Sequence, residues 1–113
     1  CNMEKISIKI PANSLYIKSL RLFAASLASD LGFNIEEVED IRVVVSEAVN
    51  YKLNQDDITI NFYAEEKNLK VEVIGKDREL EPRALSMRDL ILEELCDELT
   101  IEDEKILLTI RAE

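Results

Sequence analysis

Apolar residues in this chain alternate with polar ones in some segments and recur every three to four residues in others. This change of spacing is the sequence feature that most restricts how the chain can fold. In Glu4–Ile10 every second residue is isoleucine and Pro11 follows, a pattern typical of a half-buried strand. In Asn13–Leu31 the apolar residues recur at helical spacing, and Gly32 follows as a C-terminal cap. A strand that leads into a long amphipathic helix indicates a fold that mixes strands and helices.

A second amphipathic helix is predicted for Asn34–Leu53. Asn34, with Glu37 three residues later, resembles a capping box that opens this helix. At about 100° per residue, Glu47 falls nearly opposite the middle of the apolar stripe, so we expect an exposed carboxylate there. The predicted core stripe consists of Val38, Ile41, Val45, Ala48 and Val49.

Four further strands are predicted in the second half of the chain. Alternating apolar residues in Ile58–Phe62 and Leu69–Val73 indicate a hairpin that turns through Glu65–Asn68. A last pair is predicted near Leu99–Glu102 and Lys105–Arg111. Together with three helices, these strands predict an α+β two-layer sandwich, a mostly antiparallel sheet with the helices on one face.

The third helix is predicted to begin at a second capping-box pattern, Ser86 to Asp89, and to end near Leu95–Asp97. Its apolar residues Leu90, Ile91 and Leu95 are expected to face the core. Arg88, at the predicted start of this helix, is a candidate anion contact. Arginines in an acidic chain are more often partners in ion pairs within the chain, and we expect this of Arg88.

Length and charge restrict the functional class. The chain has 113 residues, which predicts one domain over residues 1–113. A net charge of −10, from 24 acidic against 14 basic residues, repels nucleic-acid phosphate, so no direct binding to DNA or RNA is expected. The acid is concentrated in Glu36–Asp40 and Glu93–Glu104, which are either solvated faces or a steering surface for a basic protein partner.

Membrane and metal functions are not expected either. No apolar run approaches the ~20 residues of a membrane span, and no signal peptide is visible, so a cytoplasmic protein is expected. The chain has no histidine and no CxxC pattern, which argues against a zinc site. Cys96, within the third helical pattern, is interpreted as a structural thiol.

The end of the second helix carries the most informative motif. The run Ser46-Glu47-Ala48-Val49-Asn50 resembles the nucleotide box of the anti-sigma-factor serine kinases, a branch of the histidine-kinase-like (GHKL, Bergerat) ATPase superfamily. The opening IPANSLYIKSLRLFAASLASDLGF and the later RDLILEELCDELTIED are also similar to that family. The resemblance therefore covers nearly the whole chain and implies the same α+β fold.

The resemblance also implies where a nucleotide would bind, and this sequence departs from the family there. Glu47 corresponds to the family's catalytic base, which is followed four residues later by an asparagine that holds magnesium. Here that place is taken by Tyr51, and Asn50 stands one residue early. In the family's adenine-binding turn, Gly75 stands where the aspartate belongs and Asp77 where the first glycine belongs.

A third nucleotide motif is also missing. The family has a glycine-rich lid and a Gly-x-Gly that opens the last helix, whereas this chain has no glycine between residues 76 and 95. The segment Lys76–Leu85 is too short for a full lid. We therefore expect a degenerate nucleotide site, with no cofactor, no bound metal and no kinase activity.

By resemblance, the expected function is that of an anti-sigma-factor-like regulator that binds a sigma factor, an anti-anti-sigma protein or both. The helix Asn13–Leu31 is where the resemblance places that contact, or a homodimer contact, with Tyr16, Lys18, Arg21 and Asp30 as candidates. One alternative is an active serine kinase that binds Mg-ATP with Asn50 as the metal ligand and Asp77 as the adenine acceptor. Another is a component of a regulatory switch whose partner is unrelated to sigma factors.

Overall fold

The structure is a computed structural model that describes residues 3–50, 52, 56–76 and 81–113. Its strands and helices follow the predicted order. They are β1 (Glu4–Ile10), α1 (Leu15–Asp30), α2 (Ile35–Asn50), β2 (Ile58–Glu65), β3 (Asn68–Ile74), α3 (Pro82–Leu95), β4 (Glu98–Glu102) and β5 (Lys105–Arg111).

The sheet has five strands in the order β1-β2-β3-β5-β4, and each neighbouring pair is antiparallel. One row of paired apolar residues crosses the whole sheet on the side that faces the helices, and α2 lies between α1 and α3 above it. The row consists of Ile6, Phe62, Val71, Leu108 and Leu99. The predicted class, an α+β fold with helices on one face of an antiparallel sheet, is confirmed.

The connection between α1 and α2 is determined by local backbone chemistry. Gly32 has a φ of +94°, a conformation that glycine adopts without steric cost. The N–H of Gly32 donates to Ser29 O at 3.2 Å, and the N–H of Phe33 donates to Ala28 O at 3.1 Å. These are the two hydrogen bonds of a Schellman motif, so the predicted cap at Gly32 is confirmed.

The capping box at the start of α2 is confirmed as well. The backbone N–H of Glu37 donates to Asn34 Oδ1 at 2.8 Å, and the backbone N–H of Asn34 donates to Glu37 Oε1 at 2.8 Å. The backbone N–H of Glu113 donates to the other carboxylate oxygen, Glu37 Oε2, at 3.0 Å. Glu37 therefore links the start of α2 to the end of the chain.

This arrangement makes stability depend on the charge of Glu37. The hydrogen bond from the Asn34 N–H, followed by that from Glu113, lowers the pKa of Glu37 against the opposing effect of desolvation. A carboxyl whose pKa is lower in the folded state stabilises the fold above its unfolded pKa, and that contribution is lost as pH falls through the folded value. Glu37→Gln should therefore flatten the acid side of the stability curve, measured by denaturant unfolding at a series of pH values. An NMR titration that places Glu37 at or above the ordinary glutamate range would contradict this.

The third helix differs from the prediction in its start and its inward face. It begins at Pro82, four residues before the predicted Ser86, because proline is well suited to the first helical position. Leu90 was expected inside but is 58% exposed, while Arg88 and Leu92 are the buried residues of this helix. The long stem of an arginine can be buried like an apolar side chain, which a pattern of apolar residue types does not register.

Candidate functional site

The candidate residues Glu47 and Asn50 lie in the last turns of α2. Both are half-buried, and Ala48 and Val49 between them are fully buried. The prediction that Glu47 is exposed is therefore wrong, because α1 and α3 cover both flanks of α2. Asp77 lies outside the described residues.

Lys52, just beyond α2, is the residue at this end of the molecule that the sequence analysis missed. Its side chain is fully buried (0% exposed), which is rare for lysine unless its ammonium is paired. Nζ of Lys52 donates a hydrogen bond to the backbone carbonyl oxygen of Gly75 at 2.9 Å. The side chain thus joins the end of α2 to the end of β3.

Gly75 is enclosed by this contact. A Cβ atom built on Gly75 would lie 3.8 Å from Cβ and Cδ of Lys52 and 3.8 Å from Cγ1 of Ile58, at ordinary packing distance. The N–H of Gly75 donates to Glu104 O at 2.9 Å. Both backbone groups of Gly75 are therefore hydrogen-bonded, and the lysine stem fills the space beside it.

These contacts bear on whether a nucleotide fits. By the resemblance, Gly75 stands at the position of the residue that accepts the adenine amino group. Within the described part of the chain, that position has no side-chain acceptor, its carbonyl already accepts a hydrogen bond from an ammonium, and Lys52 occupies the adjacent space. The described residues around Gly75 do not fit adenine.

Arg88 forms an ion pair within the chain. It lies in the interior of α3, 2% exposed, and its Nε donates to Asp89 Oδ1 at 2.9 Å. The anion contact considered for Arg88 required it to lie at the start of the helix, but the helix begins six residues earlier. The expected ion pair within the chain is confirmed.

Cys96 has the environment of a structural thiol. It is half-buried at the end of α3, and burial, followed by the nearby charge of Asp97, raises its pKa to about 12. The thiolate is the reactive form of cysteine. At neutral pH this side chain is therefore a protonated, poorly reactive group.

Residues of the first acidic segment and Asp97 of the second line one cavity. This cavity, of about 260 Å³, is lined by residues from the start of α2, the end of α3 and the end of β5. The acidic lining residues are Glu36, Glu37, Asp40, Asp97 and Glu113. No set of three carboxylate or thiol side chains suited to holding a metal ion is found in the ranges that the structure describes. Over the same ranges, no helix has the length and apolar character of a membrane span.

Comparison with known proteins gives one consistent relationship. No family model matches the sequence. The chain is 37% identical over 76 residues to the serine-protein kinase RsbW of Bacillus cereus. The matched segment covers 62% of this chain and 48% of that protein. The serine-protein kinases RsbW of Bacillus mycoides and Bacillus anthracis match over 76 residues at 37% and 36% identity. The chain thus spans about half the length of the relatives it matches. Over about three-fifths of its length it is similar to serine-protein kinases RsbW, which confirms the resemblance to the anti-sigma-factor serine kinases that its motifs indicated.

Proposed function

We propose that this chain is an anti-sigma-factor-like regulatory protein that acts by binding other proteins and does not transfer phosphate. Its partner is a sigma factor, an anti-anti-sigma protein or both, and it works in the cytoplasm as one histidine-kinase-like domain over residues 1–113. Binding of this kind requires a surface and no chemistry, so the fold is sufficient for it.

The observation that supports the loss of kinase activity is the position of Lys52. Its buried ammonium is hydrogen-bonded to Gly75 O at 2.9 Å, at the position where the resemblance would place the aspartate that recognises adenine. Displacing this side chain would leave a buried carbonyl without that partner, at a cost of about 1–3 kcal/mol. A nucleotide would have to offset this cost before it gained any affinity.

The surface proposed for the regulatory partner is α1. This helix exposes Leu15 (68%), Leu22 (56%) and Tyr16 (39%), together with the charged residues Lys18 and Asp30. Arg21 is half-buried, and among the described residues its Nε has no hydrogen-bond acceptor. Exposed apolar side chains among charged ones have the composition of a protein-binding face.

An active kinase is the second candidate, and the similarity to serine-protein kinases RsbW favours it. In that case Glu47, half-buried at the end of α2, would act as the base and Asn50 would hold the magnesium of Mg-ATP. The two candidates differ in one measurable property. A kinase must bind Mg-ATP, and the regulator need not.

The test is calorimetry of Mg-ATP and Mg-ADP on nucleotide-free protein, together with Glu47→Ala and Asn50→Ala. We expect no heat of binding at millimolar nucleotide and no thermal shift, whereas a ligand at ~100 times its Kd would add about 2.7 kcal/mol of stability. The same protein should bind a sigma factor or an anti-anti-sigma protein equally well with and without Mg-ATP. Micromolar nucleotide binding that both alanine variants abolish would contradict the proposed loss of kinase activity and favour the active kinase.

A further inference from the structure

The first strand, β1, forms one edge of the sheet. The strand order places β2 on one side of β1, and no strand of the described part of the chain lies on the other side. The seven residues of β1 pair one to one with β2, without a bulge, and none of them is proline. In an antiparallel pair every second residue directs its N–H and C=O away from its partner strand. The outer side of β1 can therefore pair with a further strand.

An apolar cavity lies beside this edge, between β1 and α1. Its volume is about 230 Å³, and none of its lining residues belongs to β2, so it lies at the outer margin of the sheet. It is smaller than the ~300–1,000 Å³ of most small-molecule sites, and no charged residue lines it. The cavity is therefore suited to one or two apolar side chains. Its lining consists of Ile8, Ile10, Tyr16, Ser19, Leu20 and Phe23.

A strand added to β1 would direct alternate side chains toward this cavity. Neighbouring strands lie about 4.8 Å apart, and successive side chains point to opposite faces of the sheet. Ile8 and Ile10 point toward the helices and line the cavity. Side chains on the same face of an added strand would stand next to these two isoleucines. Such a strand therefore requires apolar residues at every second position.

The charge of the chain is divided unevenly, and β1 and α1 carry its basic part. Residues 1–29 include four basic residues and one acidic residue, whereas the other 84 residues include 10 basic and 23 acidic ones. Lys5 and Lys9 lie on the face of β1 opposite to its isoleucines, and both are exposed. The ion pair of Lys9 with Asp57 joins two exposed groups at 3.8 Å and is weak. Residues of an added strand that point away from the helices would meet these lysines, which favours acidic residues there.

We propose that the free edge of β1, with the cavity between β1 and α1, binds an extended acidic segment of another protein by strand addition. In this segment apolar residues alternate with glutamate or aspartate. Its backbone pairs with β1, its apolar side chains enter the cavity beside Ile8 and Ile10, and its carboxylates lie beside Lys5 and Lys9. Main-chain hydrogen bonds supply the affinity of such a contact, and alternate side chains supply its specificity. This proposal goes beyond the proposed function, which requires the exposed face of α1 and no strand addition.

The two lysines also distinguish an acidic partner from a second copy of β1. In a symmetric antiparallel pairing centred on Ser7, Lys5 of each copy would lie opposite Lys9 of the other. Like charges directly opposite each other on neighbouring strands are destabilising, whereas opposite charges are stabilising. The edge of β1 therefore favours a strand that carries carboxylates at these positions.

Titration of the ¹⁵N-labelled chain with synthetic peptides tests the site and uses no sigma factor. The probe is a capped heptapeptide of alternating glutamate and valine, and its control has lysine in place of glutamate. The glutamate peptide should shift the amide resonances of β1 and slow the hydrogen exchange of every second β1 amide. Its Kd should lie in the millimolar range or below. The lysine peptide should bind at least about tenfold more weakly.

N-methylated peptides separate strand addition from simple charge attraction. One peptide carries N-methyl groups on its valines, and another carries them on its glutamates. Only one of these two sets of amides faces β1 in an added strand. One peptide should therefore lose binding, and the other should keep it.

Variants of the chain test the charges and the cavity, with circular dichroism to show that each is folded. Replacing both lysines, by Lys5→Glu with Lys9→Glu, should raise the Kd of the glutamate peptide by about tenfold or more. The same double variant should bind the lysine peptide with a Kd within about threefold of the wild-type value for the glutamate peptide. Arg83→Glu, the same charge change at an exposed position of α3, should alter neither Kd. Ser19→Phe fills the cavity from α1 and should weaken binding by about tenfold, whereas Ser29→Phe, at an exposed serine outside the cavity, should not.

Several outcomes would overturn the proposal. They are β1 resonances that do not shift at millimolar glutamate peptide, equal binding of the glutamate and lysine peptides, and equal binding of the two N-methylated peptides. A loss of binding with Arg83→Glu as large as that with the lysine variants would overturn it as well. Protection of the β1 edge in the free chain, rising with protein concentration, would mean that a second copy occupies this edge instead.

Discussion

Lys52→Ala is expected to lower the free energy of unfolding by about 2–4 kcal/mol. The wild-type side chain is fully buried, so the alanine variant leaves a cavity where the three methylene groups beyond Cβ lay beside Gly75. It also removes the ammonium that donates to Gly75 O at 2.9 Å. Both losses lower the free energy of unfolding. Part of this is offset because the variant no longer has to bury the charged ammonium.

Two variants make the Lys52 measurement specific. Lys52→Met keeps most of the packed volume and removes the ammonium, so it should lie between the wild type and alanine in urea unfolding. Lys18→Ala, at an exposed lysine of α1, should change stability by about 0.5 kcal/mol or less. A change for Lys52→Ala as small as that for Lys18→Ala would mean that Lys52 does not connect α2 to β3 in solution.

Phe62→Ala is expected to have the largest effect on stability, a loss of about 3–5 kcal/mol. Phe62 is fully buried on the helix-facing side of β2, which is paired on both sides, by β1 and β3. Its ring meets the ring of Phe23 edge to face, with the centroids 5.2 Å apart and the planes at 64°. The variant therefore loses the free energy gained by burying the ring and the aromatic contact between the sheet and α1. It also loses the van der Waals contacts that line the cavity left by the ring.

The measurement is chemical unfolding followed by circular dichroism and by Tyr fluorescence, with coincident transitions as the test of two-state behaviour. Leu22→Ala, on the exposed side of α1 one residue before Phe23, is the matched control and should cost about 0.5 kcal/mol or less. If Phe62→Ala cost no more than Leu22→Ala, the sheet would not pack against α1 as described.

Much of the fold could be predicted because its signals are local. Glu4–Ile10 alternates along its length, and β1 has those bounds. Gly32 and the pair Asn34 and Glu37 indicated where α1 ends and α2 begins, since both motifs depend on residues within one turn of each other. The observed boundaries differ from the predicted ones by a few residues. The helix α1, predicted from Asn13, begins at Leu15, and Asn13 Oδ1 accepts a hydrogen bond from the Leu15 N–H.

The errors fall where a distant part of the chain decides the outcome. Leu90 was assigned to the core by residue type, but the inward direction of α3 is set by its packing against α2 and β4, which buries Arg88 and Leu92. Glu47 was expected to be exposed because an isolated helix has one apolar face, and α2 is instead flanked by two helices. Neither neighbour can be inferred from the periodicity of a single segment.

The sequence by itself determined the order of the strands and helices, the α+β class and the departures from the nucleotide motifs at Tyr51, Gly75 and Asp77. Each of these depends on residue identity and short spacing, which the chain carries directly. Only the tertiary structure decided that Lys52 lies against Gly75, that residues of the first acidic segment and Asp97 of the second line one cavity, and that Met87 and Leu90 face outward. These are contacts and exposures set by residues far apart in the chain or by the packing of whole helices. These contacts and exposures are determined by the burial and desolvation that accompany packing of the helices onto the sheet. Local conformational preferences do not determine them.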